Sequence, residues 1–405
     1  MTNSARPIEV AVVGAGPAGL TAAIALASSG VATTLIGPAS AEKDHRTTAL
    51  LTGSVAALDV LGVWSACREH AAPLKAMRIA DDRAVLLRAP EVAFDAAEIG
   101  CEAFGYNIEN RHLVAALIAR AAALPHLQRV ERTVRAVTPS AAAVTITLDD
   151  DTTVTARVVV AADGRASLCR RAASIDVRTQ RYPQTALALT FEHTRPHNDT
   201  SVEFHTMDGP FTLVPLPGRR SSLVWVTTPA RAEEILALDD TALSREIERH
   251  AHAIVGKVTV LPGRGQFPLS LQTAETFARH RIALIGEAAH VMPPIGAQGL
   301  NLGLRDAAAI AELVVEARHA GEDIGAPDLL ARYDDRRRTD VTTRSLAVDA
   351  LNRSLLTAFL PVQGLRGVGL ALLDRIKPLR HAVMREGMAP HADMPRLMRG
   401  EPLRP

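Results

Sequence analysis

Ile8–Ser29 reads IEVAVVGAGPAGLTAAIALASS, and this run decides the fold. Ile8 to Val13 is a run rich in β-branched residues, which predicts a buried strand. Gly14-Ala15-Gly16-Pro17-Ala18-Gly19 follows, and then a helix from about Leu20 to Ser29. Gly14 allows the tight turn, Gly16 lets backbone approach a pyrophosphate, and Gly19 with Ala23 lets helix pack on strand. The helix start beside Ala18 then offers unpaired N–H groups and the positive end of its dipole to phosphate. A G-x-G-x-x-G alone is a weak signal; directly after a strand and before a helix it predicts a dinucleotide site.

A second stretch, Arg281–Ala307, RIALIGEAAHVMPPIGAQGLNLGLRDA, matches that site in character. Its apolar opening stops at Gly286, as a buried strand does at a site. Pro293 and Pro294 forbid helix, and Gly296 and Gly299 let backbone come close to a flat ligand. A helix is predicted from about Gln298 to about Ala317, its first turn aiming unpaired N–H groups at whatever lies in the loop. A third block, VVVAADGRAS, ends the β-ribbon predicted over Val144–Leu148 and Thr152–Ala161 in Asp163-Gly164. As a bare string Asp-Gly is usually a turn; after a buried strand it joins the other two motifs.

These motifs resemble those of the FAD-dependent aromatic hydroxylases, the p-hydroxybenzoate hydroxylase class, and most of all the branch acting on ubiquinone precursors. The resemblance covers nearly the whole chain. It implies an α/β fold: a Rossmann-type FAD-binding domain, discontinuous over 1–72, 104–177 and 269–345, with an inserted mixed or antiparallel β-sheet substrate domain over 73–103 and 178–268, and a C-terminal helical segment and tail over 346–405. It implies FAD held by Gly14, Gly16, Ala18, Gly19, Arg46, Arg111, Asp163, Gly164, Gly286, Glu287, Gly299, Leu300 and Asn301. It further implies that Pro294, Gly296, Ala297, Gln298 and Gly299 form the loop facing the flavin. Glu287 stands where the family has Asp or Asn, and Gly37 where it has an acid for the adenosine ribose; backbone or water is expected to hold the ribose, with looser FAD binding. The implied reaction is ring hydroxylation of a polyprenylated phenol with NADPH or NADH and O2, through a flavin C4a-hydroperoxide. Hydroxylation of a small soluble phenol and a flavin-holding accessory role stay open beside it. No catalytic base is assigned, since Tyr106, Tyr182 and Tyr333 lie outside the motifs.

Composition bounds the rest. A chain of 405 residues, 47% hydrophobic and 22% charged, predicts a soluble protein of about two domains plus an appendage. A net charge of +1 gives no field to recruit nucleic acid. Three cysteines far apart predict reduced, structural thiols, and the 14 histidines form no HExxH motif, which suggests no metal. No apolar run approaches the ~20 residues of a membrane span, and the N-terminus enters a strand at once, so a cytoplasmic chain is expected, with attachment to the inner membrane left open.

Between the motifs, Arg46 to Leu50 is expected to open a helix, and Arg111 to follow a helix N-cap at Asn110, either touching FAD or in solvent. MRIADD, AVLLRAP and EVAFDA predict short strands, as do TALALTFEH, SVEFHT, GPFTLVPLPG and SSLVWVTT, with one amphipathic helix over AEEILALDDTALSREIERHA. Leu213, Pro215 and Trp225 are either core or the lining of a substrate cavity. In the segment after Asp349, which resembles the C-terminal part of the ubiquinone-pathway enzymes, Leu365, Val368, Leu372, Ile376 and Leu379 recur at helical spacing among Arg366, Arg375, Lys377, Arg380 and Arg385. Such a basic amphipathic helix suits an anionic membrane, a partner in a biosynthetic complex, or its own domain. Residues 388–405 read as a loose tail.

Overall fold

The structure is a computed structural model describing residues 7–38, 44, 46–83, 90–356, 376–388 and 394–403. Ile8–Val13 lies at the centre of an eight-stranded sheet, parallel to Thr33–Ile36 on one side and to Thr153–Ala161 on the other. Leu127–Val130 continues the first side and Ile282–Leu284 the second, both parallel. The chain thus winds outward in one direction, returns, and winds outward in the other. The carboxyl ends of Ile8–Val13 and Thr153–Ala161 flank the reversal, the place where an open α/β sheet leaves a crevice. Val144–Leu148 and Val134–Pro139 extend the sheet as an antiparallel ribbon. Helices Pro17–Ser28, Asn110–Ala122 and Gln298–His319 pack with it into one large core.

A second, nine-stranded sheet is antiparallel except where Thr200–His205 runs parallel to Ala76–Asp81. Its long strands are Val177–His193, Arg220–Thr227 and Gly265–Ala274, and the short strand His290–Val291 at its edge comes from the second motif itself. Alternation gives the sheet two unlike faces. Leu187, Leu189, Leu213 and Trp225 point to one side, into a cluster completed by Leu243 and Ile247 of a covering helix. Ala186, Val224, Val226 and Leu269 point to the other. A small sheet of Thr47–Leu51, Gly105–Glu109 and Ala71–Pro73 bridges the two: Asn107 donates to the Pro215 carbonyl at 2.9 Å, and Glu109 takes Arg220 at 3.0 Å.

Four sequence expectations are corrected. Arg46 does not open a helix; Thr47–Leu51 is a strand paired with Gly105–Glu109, as the β-branched Thr47 and Thr48 favour, and the helix begins only at Thr52. Asn110 is not the cap of its helix: Glu109 holds that place, while Asn110 accepts from Thr48 at 2.7 Å and donates to Asp44 at 3.1 Å. The amphipathic stretch is two helices, Pro229–Leu236 and Asp240–His250, because the Asp239 carboxylate caps a new start by accepting from Ala242 N at 2.7 Å. Finally, the end of the chain is no loose tail. Leu397, Met398 and Leu403 are buried in the main core, and the Arg396 amide donates to Glu312 at 2.7 Å. Of the C-terminal basic segment, Leu365, Val368, Leu372, Arg366 and Arg375 lie outside the described residues, as does Ala84–Ala89; Lys377–Met388 is a helix.

Candidate active site

The three motifs meet through backbone. A Cβ on Gly14 would overlap the Ala162 carbonyl, and one on Gly19 would overlap the Gly14 carbonyl. The methyl of Ala18 stands 3.3 Å from where a Cβ on Gly286 would lie and 3.4 Å from one on Gly303, so helix Gln298–His319 seats on helix Pro17–Ser28 with the Gly286 turn between them. Ala18 is therefore a packing surface, and Gly303, in the quoted stretch but not singled out, is what admits the close approach. Against this crowding, Gly16, Gly164 and Gly299 have no atom within 4 Å of a built Cβ. They border open space.

Two helix N-termini open on that space, and neither is capped by a side chain. Helix Pro17–Ser28 starts after Gly16, and helix Gln298–His319 after Ala297, which with Gly296 takes left-handed backbone, φ 54 and 65. Along the loop Pro294, Gly296 and Gly299 are exposed, while Pro293, Ile295 and Gln298 are buried. A cradle of glycine edges with two sets of free N–H groups fits a ligand having a pyrophosphate and a flat ring that gains negative charge.

The remaining predicted residues divide. Arg46 is half exposed, paired with Asp44 at 2.6 Å, and lies over the Phe267 ring, 5.9 Å from its centre. The Asp44 hydrogen bond, with the charges of Asp44 and Glu287, holds its guanidinium more firmly protonated, so Arg46 and the exposed Glu287 share one electrostatic neighbourhood. Arg111 is bound to Glu109 at 3.0 Å. Burial pushes the Glu109 carboxyl up, but the hydrogen bond and charge of Arg220 and the charge of Arg111 outweigh it and lower its pKa. The Asp163 carboxylate is spent on its own turn, accepting from Ser167 Oγ at 2.6 Å, Leu168 N at 2.7 Å and Cys169 N at 3.0 Å. The side chain of Asn301 is likewise committed. Its Oδ1 accepts from Leu51 N and Ser54 Oγ, and its Nδ2 donates to the Ala49 and Ala297 carbonyls, stapling loop to strand. At Gly37 a Cβ would lie 2.9 Å from Ala15 N, so the acid expected at that place has no room on this backbone. Leu213 and Trp225 belong to the core on the far face of the second sheet.

Sequence reasoning missed a buried charged lattice beneath the loop. Asp306, fully buried, accepts from Gly286 N at 2.9 Å, His290 Nε2 at 2.7 Å and Arg337 Nε at 2.6 Å. Arg337 also donates to Asp340, which receives Arg305 at 2.7 Å and Arg344 at 2.9 Å. Burial pushes the Asp306 carboxyl up, but His290 and Arg337 prevail and hold its pKa below the ordinary value; Arg337 and Arg305 do the same for Asp340. The available signal was Arg337, Asp340 and Arg344 on one face of a helix, a pattern that reads equally as a solvated stripe.

Residues 7–346 match the family model described as "FAD binding domain". The chain is 37% identical to ubiquinone hydroxylase UbiL of Rhodospirillum rubrum, covering all of this chain and 95% of that one. It is 31% identical to 3-demethoxyubiquinol 3-hydroxylase of Escherichia coli, covering 95% and 99%. Among solved structures, p-nitrophenol 4-monooxygenase PnpA from Pseudomonas putida superposes with a TM-score of 0.75 at 17% identity over 95% of this chain and 98% of that one, a likeness of fold.

Proposed function

Because this chain belongs to the FAD-binding family of flavoprotein aromatic hydroxylases, we propose that it hydroxylates the ring of a polyprenylated phenol or quinone precursor in ubiquinone biosynthesis. The observation that carries this reading is likeness over the whole chain to ubiquinone hydroxylases, together with the open glycine cradle. The chemistry supplied by bound FAD is acceptance of two electrons from NADH or NADPH and activation of O2, so that one oxygen atom enters the ring and the other leaves as water.

The residues would act by binding and by excluding water. The pyrophosphate would lie on the backbone from Gly14 to Gly19. The amides of Gly299 and Leu300 at the helix start would stabilise negative charge arising on the reduced ring. Arg46 and Glu287 would border the cofactor, while Asp163 and Asn301 would serve through the turns they hold. The ring of the substrate is assigned to the sheet face carrying Ala186, Val224, Val226 and Leu269, whose apolar side chains would keep water away.

A lipid substrate also gives the C-terminal helix a role. Lys377–Met388 buries Arg380 and Met384, with Arg380 pairing Glu98 and lying 4.8 Å from the centre of the Phe94 ring. Its outer side exposes Leu379 and Val383, next to Ile376 and flanked by Lys377 and Arg385. We assign that stripe to the membrane surface holding the substrate. Among the described residues no helix is long and apolar enough to cross a membrane.

The test is mass spectrometry of quinone intermediates in a strain lacking the gene, with and without its return, alongside NAD(P)H oxidation by the FAD-loaded protein. An under-hydroxylated prenylated precursor should accumulate and disappear on complementation. Unchanged intermediates, with efficient turnover of simple unprenylated phenols, would refute the assignment.

A further inference from the structure

Gly296 and Ala297 form two successive left-handed residues immediately before helix Gln298–His319, and Ala297 does so with a Cβ, a conformation that persists only where neighbours enforce it. Both carbonyls of this turn are captured. The Ala297 carbonyl receives Asn301 Nδ2 at 2.6 Å, and the Gly296 carbonyl receives Gln298 Nε2 at 2.9 Å. An amide can flip and present its oxygen instead, which would repel the Gly296 carbonyl. Arg344 prevents this. Its Nη1 donates to Gln298 Oε1 at 2.8 Å, and a guanidinium has only donors to offer, so the nitrogen of Gln298 must face Gly296. Arg344 is held in turn by Asp340, which Arg305 and Arg337 share, and Arg337 reaches Asp306 and so the Gly286 amide. One chain of charge-assisted hydrogen bonds therefore ties the loop end at Gly286 to the loop end at Gly296.

We infer that Arg344 is a positioning residue for the cofactor loop: through Gln298 it fixes the turn that aims the Gly299 and Leu300 amides at bound FAD, and so favours the reduced over the oxidised cofactor. The inference rests on the flavin reading of the site. Arg344 lies on a different helix, Pro327–Leu356, outside all three motifs.

The experiment measures FAD affinity of the full chain by fluorescence quenching and the midpoint potential of the bound cofactor against free FAD, which together give the ratio of affinities for the two redox states. Arg344→Met should lower the preference for reduced FAD roughly tenfold. Gln298→Met should lower it equally, and the double variant no further, because both act through one contact. Arg344→Lys, which can still donate to Gln298, should restore part of the preference. A natural preference in Arg344→Met, or a second tenfold loss when Arg344→Met is added to Gln298→Met, would overturn the proposal, the latter by showing that Arg344 acts through its charge alone. If Arg344→Met fails to fold, Gln298→Met decides by itself: an unchanged ratio refutes the positioning role. Failure of the natural chain to bind FAD at all would instead refute the flavin reading.

Discussion

Asp306 carries no solvent exposure, yet three donors from two parts of the chain converge on it. Removing its charge would leave Arg337 buried with half its compensation, and breaking such a pair costs about 3–5 kcal/mol. Asp306→Asn should therefore melt markedly lower than the natural chain. The pH dependence follows from the direction of the shift. The folded pKa of Asp306 lies below its ordinary value of 3.8, so the stability it contributes is complete above about pH 4 and is lost as pH falls through the folded value. Thermal melts should show a clear gap between the two proteins at about pH 5, narrowing below about pH 4; a gap unchanged to about pH 3 would show that the carboxylate charge is not what the variant lost. At this scale the glycines were legible and the acids were not. Gly14 and Gly19 declare themselves because only backbone can come so close to backbone, whereas Asp163 and Asn301 sit in the right motifs but spend their side chains on turns.

The C-terminal segment shows the same limit for an element. The Pro- and Arg-rich composition of 388–405 suggests a loose tail, but Leu397 and Met398 enter the core beside helix Thr52–Val60, and Met398 lies against the place where a Cβ on Gly53 would stand. Leu397→Ala should cost about 2–4 kcal/mol in urea unfolding, the range for a buried leucine that leaves a cavity. A change below about 0.5 kcal/mol, the size of a surface substitution, would mean that the segment does not pack in solution. The strand Thr47–Leu51 differs from the helix expected there for a related reason. Its β-branched pair favours a strand, but only the distant partner Gly105–Glu109 supplies the ladder that settles the matter.

For the whole molecule, the small sheet is fastened to the second sheet at Asn107 and Glu109, and the face carrying Ala186 and Val226 lies opposite the helices that cover the second sheet. The helix Lys377–Met388 hangs on that sheet through Arg380 and presents Leu379 and Val383 outward. Leu379→Asp with Val383→Asp should lower binding to vesicles containing anionic phospholipid about tenfold or more, read by co-sedimentation, with melting unchanged because both side chains are already exposed. Retention of full vesicle binding would remove the membrane from this surface.

By itself the sequence determined the parallel nucleotide sheet, the place of its three motifs and the family, because glycine spacing, proline and β-branched runs act on backbone within a few residues of themselves. Tertiary structure alone decided which charges compensate one another beneath the loop before helix Gln298–His319, which face of the second sheet is core, and where the end of the chain docks. Those outcomes depend on distant partners, such as Gly286 with Asp306, 20 residues apart, and Arg396 with Glu312, 84 residues apart. A charged side chain reads the same in sequence whether its partner is water or a buried carboxylate, and only the folded chain distinguishes them.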